Sequence, residues 1–314
     1  MTTGLSTNEP LVPAEGTARM TDGTTLRTLH WAPAGDPWAV SLIVHGLAEH
    51  AGRYETVAAA LTAAGIDAYG YDHRGFGGSS GFRAYVERFS QFHDDLANRV
   101  EATRVQRPGL PLVMYAHSLG GLIACGYVLS GEDRPLPDLL VLSAPALDAE
   151  QPGWKKQLAR TLQRVVPRLR ISNSLPKGGL SSDPAVQQKV DADPLCTGSS
   201  TVHLAAEAFD EQDRLQALLP GVASMPMPTY VLHGADDPIV PVATSEALEG
   251  KGGVTRRVWP GLRHECHHEP SQAEVLGEVL VWVRAQLAVS PVEAGAAAEA
   301  TASSAQAAGV AAPV

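Results

Sequence analysis

Short, unbroken runs of Val, Leu, Ile and Ala alternate with helix-length segments along most of this 314-residue chain. That alternation narrows the fold more than any other feature. Trp38–Val44, Ile66–Tyr71, Leu112–Tyr115, Leu139–Ser143, Thr229–Leu232 and Arg256–Trp259 read as strands. Tyr54–Ala64 (closed by Gly65), Ser90–Gln106, Leu119–Leu129, Val242–Leu248 and Gln272–Leu287 read as helices. Strands with no polar alternation must be covered on both faces, which calls for an α/β architecture: a mostly parallel sheet between two layers of helices. Ahead of the alternation, Ala18–Trp31 reads as a hairpin turning at Thr21-Asp22-Gly23. A composition of 44% hydrophobic and 18% charged residues suits such a globular core.

Four short runs follow the strands: His45-Gly46-Leu47-Ala48-Glu49-His50, Ala116-His117-Ser118-Leu119-Gly120-Gly121, Gly234-Ala235-Asp236-Asp237-Pro238 and Gly261-Leu262-Arg263-His264. Ser118 lies between a strand and a helix, where a sharp turn lifts a hydroxyl above the sheet; small residues two before and two after make room for it. Gly120 meets that need, and Ala116 costs one methyl. A serine hydroxyl needs a base, and His264 follows a strand and the Pro260-Gly261 turn. The imidazole needs a carboxylate to hold its tautomer. Asp236, four residues past strand Thr229–Leu232, is expected to supply it, with Asp237 capping the turn before Pro238. Backbone N–H groups of Leu47 and Leu119 are expected to hold the negative oxygen of a tetrahedral intermediate. The order Ser, Asp, His is that of the α/β-hydrolase fold. His264-Glu265-Cys266-His267-His268 also spells H-E-x-x-H, a zinc-binding helix signature. Pro260-Gly261 and Pro270 leave too little helix for it, so no metal and no cofactor is expected.

These residues resemble the monoglyceride lipase and lysophospholipase group of α/β hydrolases, a similarity running from about Ala18 to Leu287. It is most specific in His45–Tyr54, in Asp72-His-Arg-Gly-Phe-Gly-Gly-Ser79 and around Ser118. The resemblance implies a serine esterase cleaving monoacylglycerols, with Glu49, Arg53 and His267 binding the glycerol head group. An internal Glu49–Arg53 ion pair is the plainer account of two of them. Ala116, and Phe76 where many members carry histidine, depart from the group's pattern. A lysophospholipase or a broad carboxylesterase is the alternative, and a non-catalytic ligand-binding protein of the same fold is a remoter one.

The interruption at 146–225 reads as an inserted helical cap, with helices over Trp154–Leu169 and Thr201–Leu219 and a helix start at Asp183-Pro184. The α/β-hydrolase core then comprises 16–145 and 226–288. Residues 1–15 read as a flexible arm and 289–314, rich in Ala and without aromatics, as a disordered tail. Trp154, Leu158, Leu162, Val165 and Leu169 share one helical face, and Lys155, Lys156, Arg160, Arg164, Arg168 and Arg170 occupy the rest. Two readings stay open for that pattern: peripheral contact with a membrane surface, or a cap helix packed on the body with a solvated basic side.

The net charge of −10 gives no global attraction to nucleic acid, and nothing indicates an obligate protein partner. Three scattered cysteines, no signal-peptide pattern and no run of about 18 apolar residues lead to an expected cytoplasmic location.

Overall fold

The computed structural model describes residues 12–289 apart from Ala149, Ser174 and Leu175. Its strands are β1 Ala14–Arg19, β2 Thr25–Trp31, β3 Ala39–Val44, β4 Ile66–Tyr71, β5 Leu112–His117, β6 Leu139–Ser143, β7 Arg170–Ser172, β8 Ser199–Thr201, β9 Ser224–Gly234 and β10 Gly252–Trp259. Its α-helices are α1 Glu55–Ala63, α2 Ser90–Gln106, α3 Leu119–Val128, α4 Gly153–Leu162, α5 Pro184–Ala192, α6 Val202–Leu218 and α7 Gln272–Val289. Eight strands form one sheet in the order β1-β2-β4-β3-β5-β6-β9-β10. The six from β3 to β10 in that sheet run parallel, and the β1–β2 hairpin joins antiparallel to β4.

The unbroken apolar strands are buried on both sides, as their composition requires. Along β3, Val40, Leu42 and Val44 enter one core with α2 and α3, while Ala39 and Ile43 enter the other with α1 and α7. β5 splits in the same way, Leu112, Met114 and Ala116 against Val113 and Tyr115. Strand β1 opens at Ala14, two residues inside the segment expected as a flexible arm. Residues 1–11 and the expected tail beyond Val289 lie outside the described residues.

Between β6 and β9 the chain leaves the sheet and builds α4, β7, α5, β8 and α6. Asp183 caps α5, its carboxylate accepting from Ala185 N at 2.9 Å; the Asp-Pro start is a sequence signal that holds. Helix α6 ties this insertion down, sending Leu204 and Leu215 into the core above α3. The helix expected over Trp154–Leu169 stops at Leu162. Pro167 has no N–H and resists helical extension, and the carbonyls of Pro167 and Leu169 instead accept from His203 and Val202. Helix α4 turns Leu162 from its apolar face inward together with part of its basic side. Ala159 and Leu162 pack on Val202, Ala206 and Phe209, while Lys156 pairs with Asp213 at 2.8 Å and Arg160 with Asp210 at 2.6 Å. The basic side therefore faces acidic α6. Trp154 (65% exposed), Leu158 (48%) and Val165 (77%) face solvent.

Candidate functional site

The turn from β5 into α3 forces Ser118 to φ +53° and ψ −116°, a conformation few L-residues adopt. Such strain holds only where the surroundings over-determine it. Here Ser118 N donates to Ser143 O, and its carbonyl accepts from Leu122 N and Ala146 N. Gly120 lies so close to β3 that a Cβ there would sit 2.2 Å from Val44 O and 2.6 Å from His45 O. Glycine is the residue that fits.

The Ser118 hydroxyl donates to His264 Nε2 at 3.0 Å. On the other side of the ring, His264 Nδ1 donates to a carboxylate oxygen at 2.7 Å, and that oxygen belongs to Asp237. Asp236, expected for this role, is exposed and lies outside the relay. The correction has two causes. Strand β9 continues to Gly234, so the loop begins two residues later than the apolar run implies. Capping and relay are also not alternatives: Asp237 Oδ1 accepts from Ile239 N and Val240 N while Oδ2 faces His264. Burial would raise the Asp237 pKa. Hydrogen bonds from His233 and His264, with the charge of His264 and the Val240 N–H, outweigh it and hold the carboxyl well below the usual range. His233, four residues before Asp237, donates its Nε2–H between Asp237 Oδ2 (3.2 Å) and Val240 O (2.9 Å). Sequence reasoning missed His233; a lone histidine ending an apolar strand was the available signal.

The oxyanion loop is held by histidines that burial keeps neutral. His45 Nε2 accepts from His73 N at 2.8 Å, and His73 Nε2 donates to His45 O at 2.9 Å. Burial lowers the pKa of His45 to about 3 and that of His73 well below its ordinary value. Among the described residues the N–H groups of Leu47 and Leu119 have no acceptor, as donors awaiting a ligand oxygen require. His117 lies against His264, ring centroids 4.6 Å apart.

Buried Glu49 and His267 flank Tyr54 beside the nucleophile, and half-buried Arg53 pairs with Glu49. A Cβ on Gly46 would lie 2.7 Å from Glu49 Oε1 and 3.2 Å from Ser118 Cβ. Glu49 Oε1 accepts from Gly46 N and from the Tyr54 hydroxyl, and Oε2 accepts from Arg53. The expected Glu49–Arg53 ion pair is thus present. It has a third member that sequence reasoning left inside the decoy zinc motif: Glu265, which grips Arg53 with both oxygens at 2.8 and 2.7 Å. His267 stacks on Tyr54, its Nδ1 lies 3.3 Å from the Tyr115 hydroxyl, and its Nε2 is buried without a protein partner. Burial, with His268 and His117 nearby, lowers its pKa well below the ordinary value.

Among the described residues two groups carry metal-ligand chemistry, His50–Asp193–Cys196 and Glu265–His267–His268. His50 Nδ1 accepts from Gly52 N, so its proton sits on Nε2, facing Asp193. A metal on that nitrogen would push the proton onto Nδ1, against the Gly52 N–H. In the second group Glu265 is engaged with Arg53 and His268.

A strained serine above a parallel sheet, a histidine and a carboxylate in line, and two free backbone donors define a serine hydrolase of the α/β-hydrolase class. Residues 35–271 match the family described as serine aminopeptidase, S33. The chain belongs to that family and, within the α/β hydrolases, to the monoglyceride lipase group. It is 35% identical over 264 residues to a monoacylglycerol lipase of Mycolicibacterium smegmatis, covering 82% of this chain and 92% of the relative. It is 28% identical over 282 residues to human monoglyceride lipase, covering 86% and 90%. The crystal structure of a Paleococcus ferrophilus monoacylglycerol lipase superposes with a TM-score of 0.72 at 27% identity, covering 83% of this chain and 99% of that one.

Proposed function

We propose that the chain hydrolyses monoacylglycerols to glycerol and free fatty acid through an acyl-enzyme. The observation that carries this reading is the Ser118–His264–Asp237 relay, at 3.0 and 2.7 Å, beside Glu49, Arg53 and His267. Ser118 Oγ attacks the ester carbonyl as His264 Nε2 takes its proton, and Asp237 stabilises the resulting imidazolium. The carbonyl oxygen, now negative, is held by the N–H groups of Leu47 and Leu119. Collapse expels glycerol, protonated by His264; water then repeats the sequence on the acyl ester and frees Ser118.

The leaving alcohol carries two hydroxyls that need partners in a buried site. His267 Nε2, buried and unpartnered, suits one of them, and the outer donors of Arg53 suit the other. The residues between β6 and β9 act as a cap over this site: Asp193 accepts from His50 and Thr197 N donates to Ala48 O, both within the oxyanion loop. That cap exposes Trp154, Leu158, Val165, Leu169 and Ile171 among exposed Lys155, Arg164, Arg168 and Arg170, a surface suited to peripheral contact with a cytoplasmic membrane that supplies the lipid. Among the described residues no helix is long and apolar enough to cross a membrane.

The test is hydrolysis of a monoacylglycerol beside a matched lysophosphatidylcholine, a diacylglycerol and an aryl ester, with Ser118→Ala as blank. We expect preference for the monoacylglycerol and a Ser118→Ala loss of about 10⁶. Activity confined to the aryl ester would remove the lipid reading and keep the relay.

A further inference from the structure

We infer that Glu265 is a positioning residue, which ties the histidine loop to the oxyanion loop through Arg53 and Glu49. The inference rests on the ester hydrolysis proposed above. Its chain of contacts is short and buried. Glu265 follows His264 directly and is 2% exposed. Its two oxygens accept from Nη1 and Nη2 of Arg53, a residue 212 positions away. Arg53 Nη1 also donates to Glu49 Oε2, and Glu49 Oε1 accepts from Gly46 N at 2.6 Å. The next backbone N–H after Gly46 is that of Leu47, one of the two oxyanion donors. Any drift of the Glu49 carboxylate therefore pulls on the peptide that aims the donor. There is little slack at that point, because Glu49 Oε1, Ser118 Cβ and the His117 ring all crowd the Gly46 α-carbon.

The charges fit the same role. Glu49 and Glu265 share one guanidinium, which alone would leave a surplus negative charge in a buried place. His268 places Nδ1 2.7 Å from Glu265 Oε2 and Nε2 3.0 Å from Arg53 O. Both ring nitrogens thus lie on acceptors, and His268 bridges the histidine loop to the Arg53 backbone. Paired in this way the network is costly to break at any one member. Strong Coulomb attraction to Arg53, with hydrogen bonds from His268 and Arg53, overrides the effect of burial and holds the Glu265 carboxyl well below its ordinary pKa. Glu265 touches neither the Ser118 nor the His264 side chain. It acts through Arg53.

Glu265→Gln keeps the size but turns an NH₂ toward an Arg53 N–H, breaking the fork. Loss of a whole oxyanion donor costs about 10²–10³ in turnover, and a loosened one should cost about 10-fold in kcat. We expect that fall on monoacylglycerol and aryl ester alike, with KM for the aryl ester unchanged and slower labelling by a fluorophosphonate. Full labelling at completion would show that the fold is intact, alongside the lower melting temperature that breaking a buried pair brings. Arg53→Met with Glu265→Gln should be no slower than Arg53→Met alone, since both act on one chain of contacts. His268→Gln, which removes one of the two ring contacts with less disturbance, should lower kcat several-fold and serves if Glu265→Gln does not fold. Additive losses, a lower melting temperature with unchanged kcat per labelled site, or a KM increase for the monoacylglycerol with kcat unchanged on both substrates would each overturn the inference. The aryl ester and fluorophosphonate readouts remain informative even if monoacylglycerols are not the substrate, so the two ideas fail separately.

Discussion

Replacing Asp237 with Asn changes one atom type at the point where the relay is most sensitive. The Asn carbonyl can still satisfy the N–H groups of Ile239 and Val240, now 2.8 and 2.9 Å from Oδ1. The amide NH₂ then takes the place of Oδ2 and meets two donors, His264 Nδ1–H at 2.7 Å and His233 Nε2–H at 3.2 Å. His264 can relieve that conflict by moving its proton to Nε2, which leaves a donor facing the Ser118 hydroxyl and no base to accept its proton. Loss of the correct tautomer costs about 10⁴ in turnover in serine hydrolases of this design. That is about 5.5 kcal/mol of barrier at 1.36 kcal/mol per decade. Losing hydrogen bonds to a charged acceptor should also lower stability, by about 2–4 kcal/mol. Asp236→Asn is the matched control: the residue is exposed and uses only its backbone, N–H to Leu262 O. Its turnover should stay within about two-fold of the parent, as for surface changes generally. The assay is fatty-acid release normalised to sites titrated with a fluorophosphonate, beside thermal melting. More than about one per cent activity in Asp237→Asn, or a larger loss in Asp236→Asn, would refute the assignment.

Other consequences are open to direct measurement. Gly120→Ala drives a methyl into the Val44 and His45 carbonyls, which are backbone and cannot swing aside; a loss of about 3 kcal/mol should appear in urea unfolding, and an unchanged midpoint would contradict the packing described. Burial lowers the pKa of His45 to about 3 and of His93 to about 4, and holds His73, His117 and His267 well below 6.5. The unfolded chain binds these protons below about pH 6.5 and the native state does not, so their stabilising effect is present above pH 6.5 and is lost as pH falls toward the folded values. Each such histidine makes the protein less stable by up to about 1.4 kcal/mol at pH 5.5. His93→Gln should flatten the slope between pH 7.5 and 5.5, and an identical slope would count against a neutral His93. Trp154→Ala with Leu158→Asp should reduce co-sedimentation with vesicles containing phosphatidylglycerol while leaving soluble aryl-ester hydrolysis unchanged; undiminished vesicle binding would remove this part of the cap as the membrane contact.

Most of the fold was legible because it rests on local patterns. A strand buried on both faces must be apolar throughout, so β3 and β6 declare themselves within a residue, and β5 runs two residues further than its apolar run, to His117. Helix α2 was bounded at Ser90 and Gln106, where the chain then reaches Pro108-Gly109. Ser118 was legible because the turn needs Gly120 two residues later, and His264 because it follows the last strand. Legibility ended where a role depends on the other side of a contact. Asp236 and Asp237 are adjacent and chemically identical, and the end of β9 together with the turn to Val240 decides which one meets His264. The pattern from Trp154 to Leu169 describes an ideal helix, but Pro167 and the pairing of β7 with β8 redirect its second half. The acids of α6 claim Lys156 and Arg160, and so determine which side of α4 faces inward.

By itself, then, the sequence determined the layers of this protein, where its strands and helices fall along the chain and the loops that carry its chemistry, because helix periodicity, turn chemistry and apolar burial act through near neighbours. Tertiary structure alone decided the partners. Glu265 reaches Arg53 across 212 residues and His264 meets Asp237 across 27. A carboxylate's role depends on which donors the folded chain brings within 3 Å of it, and no spacing along the chain encodes that distance.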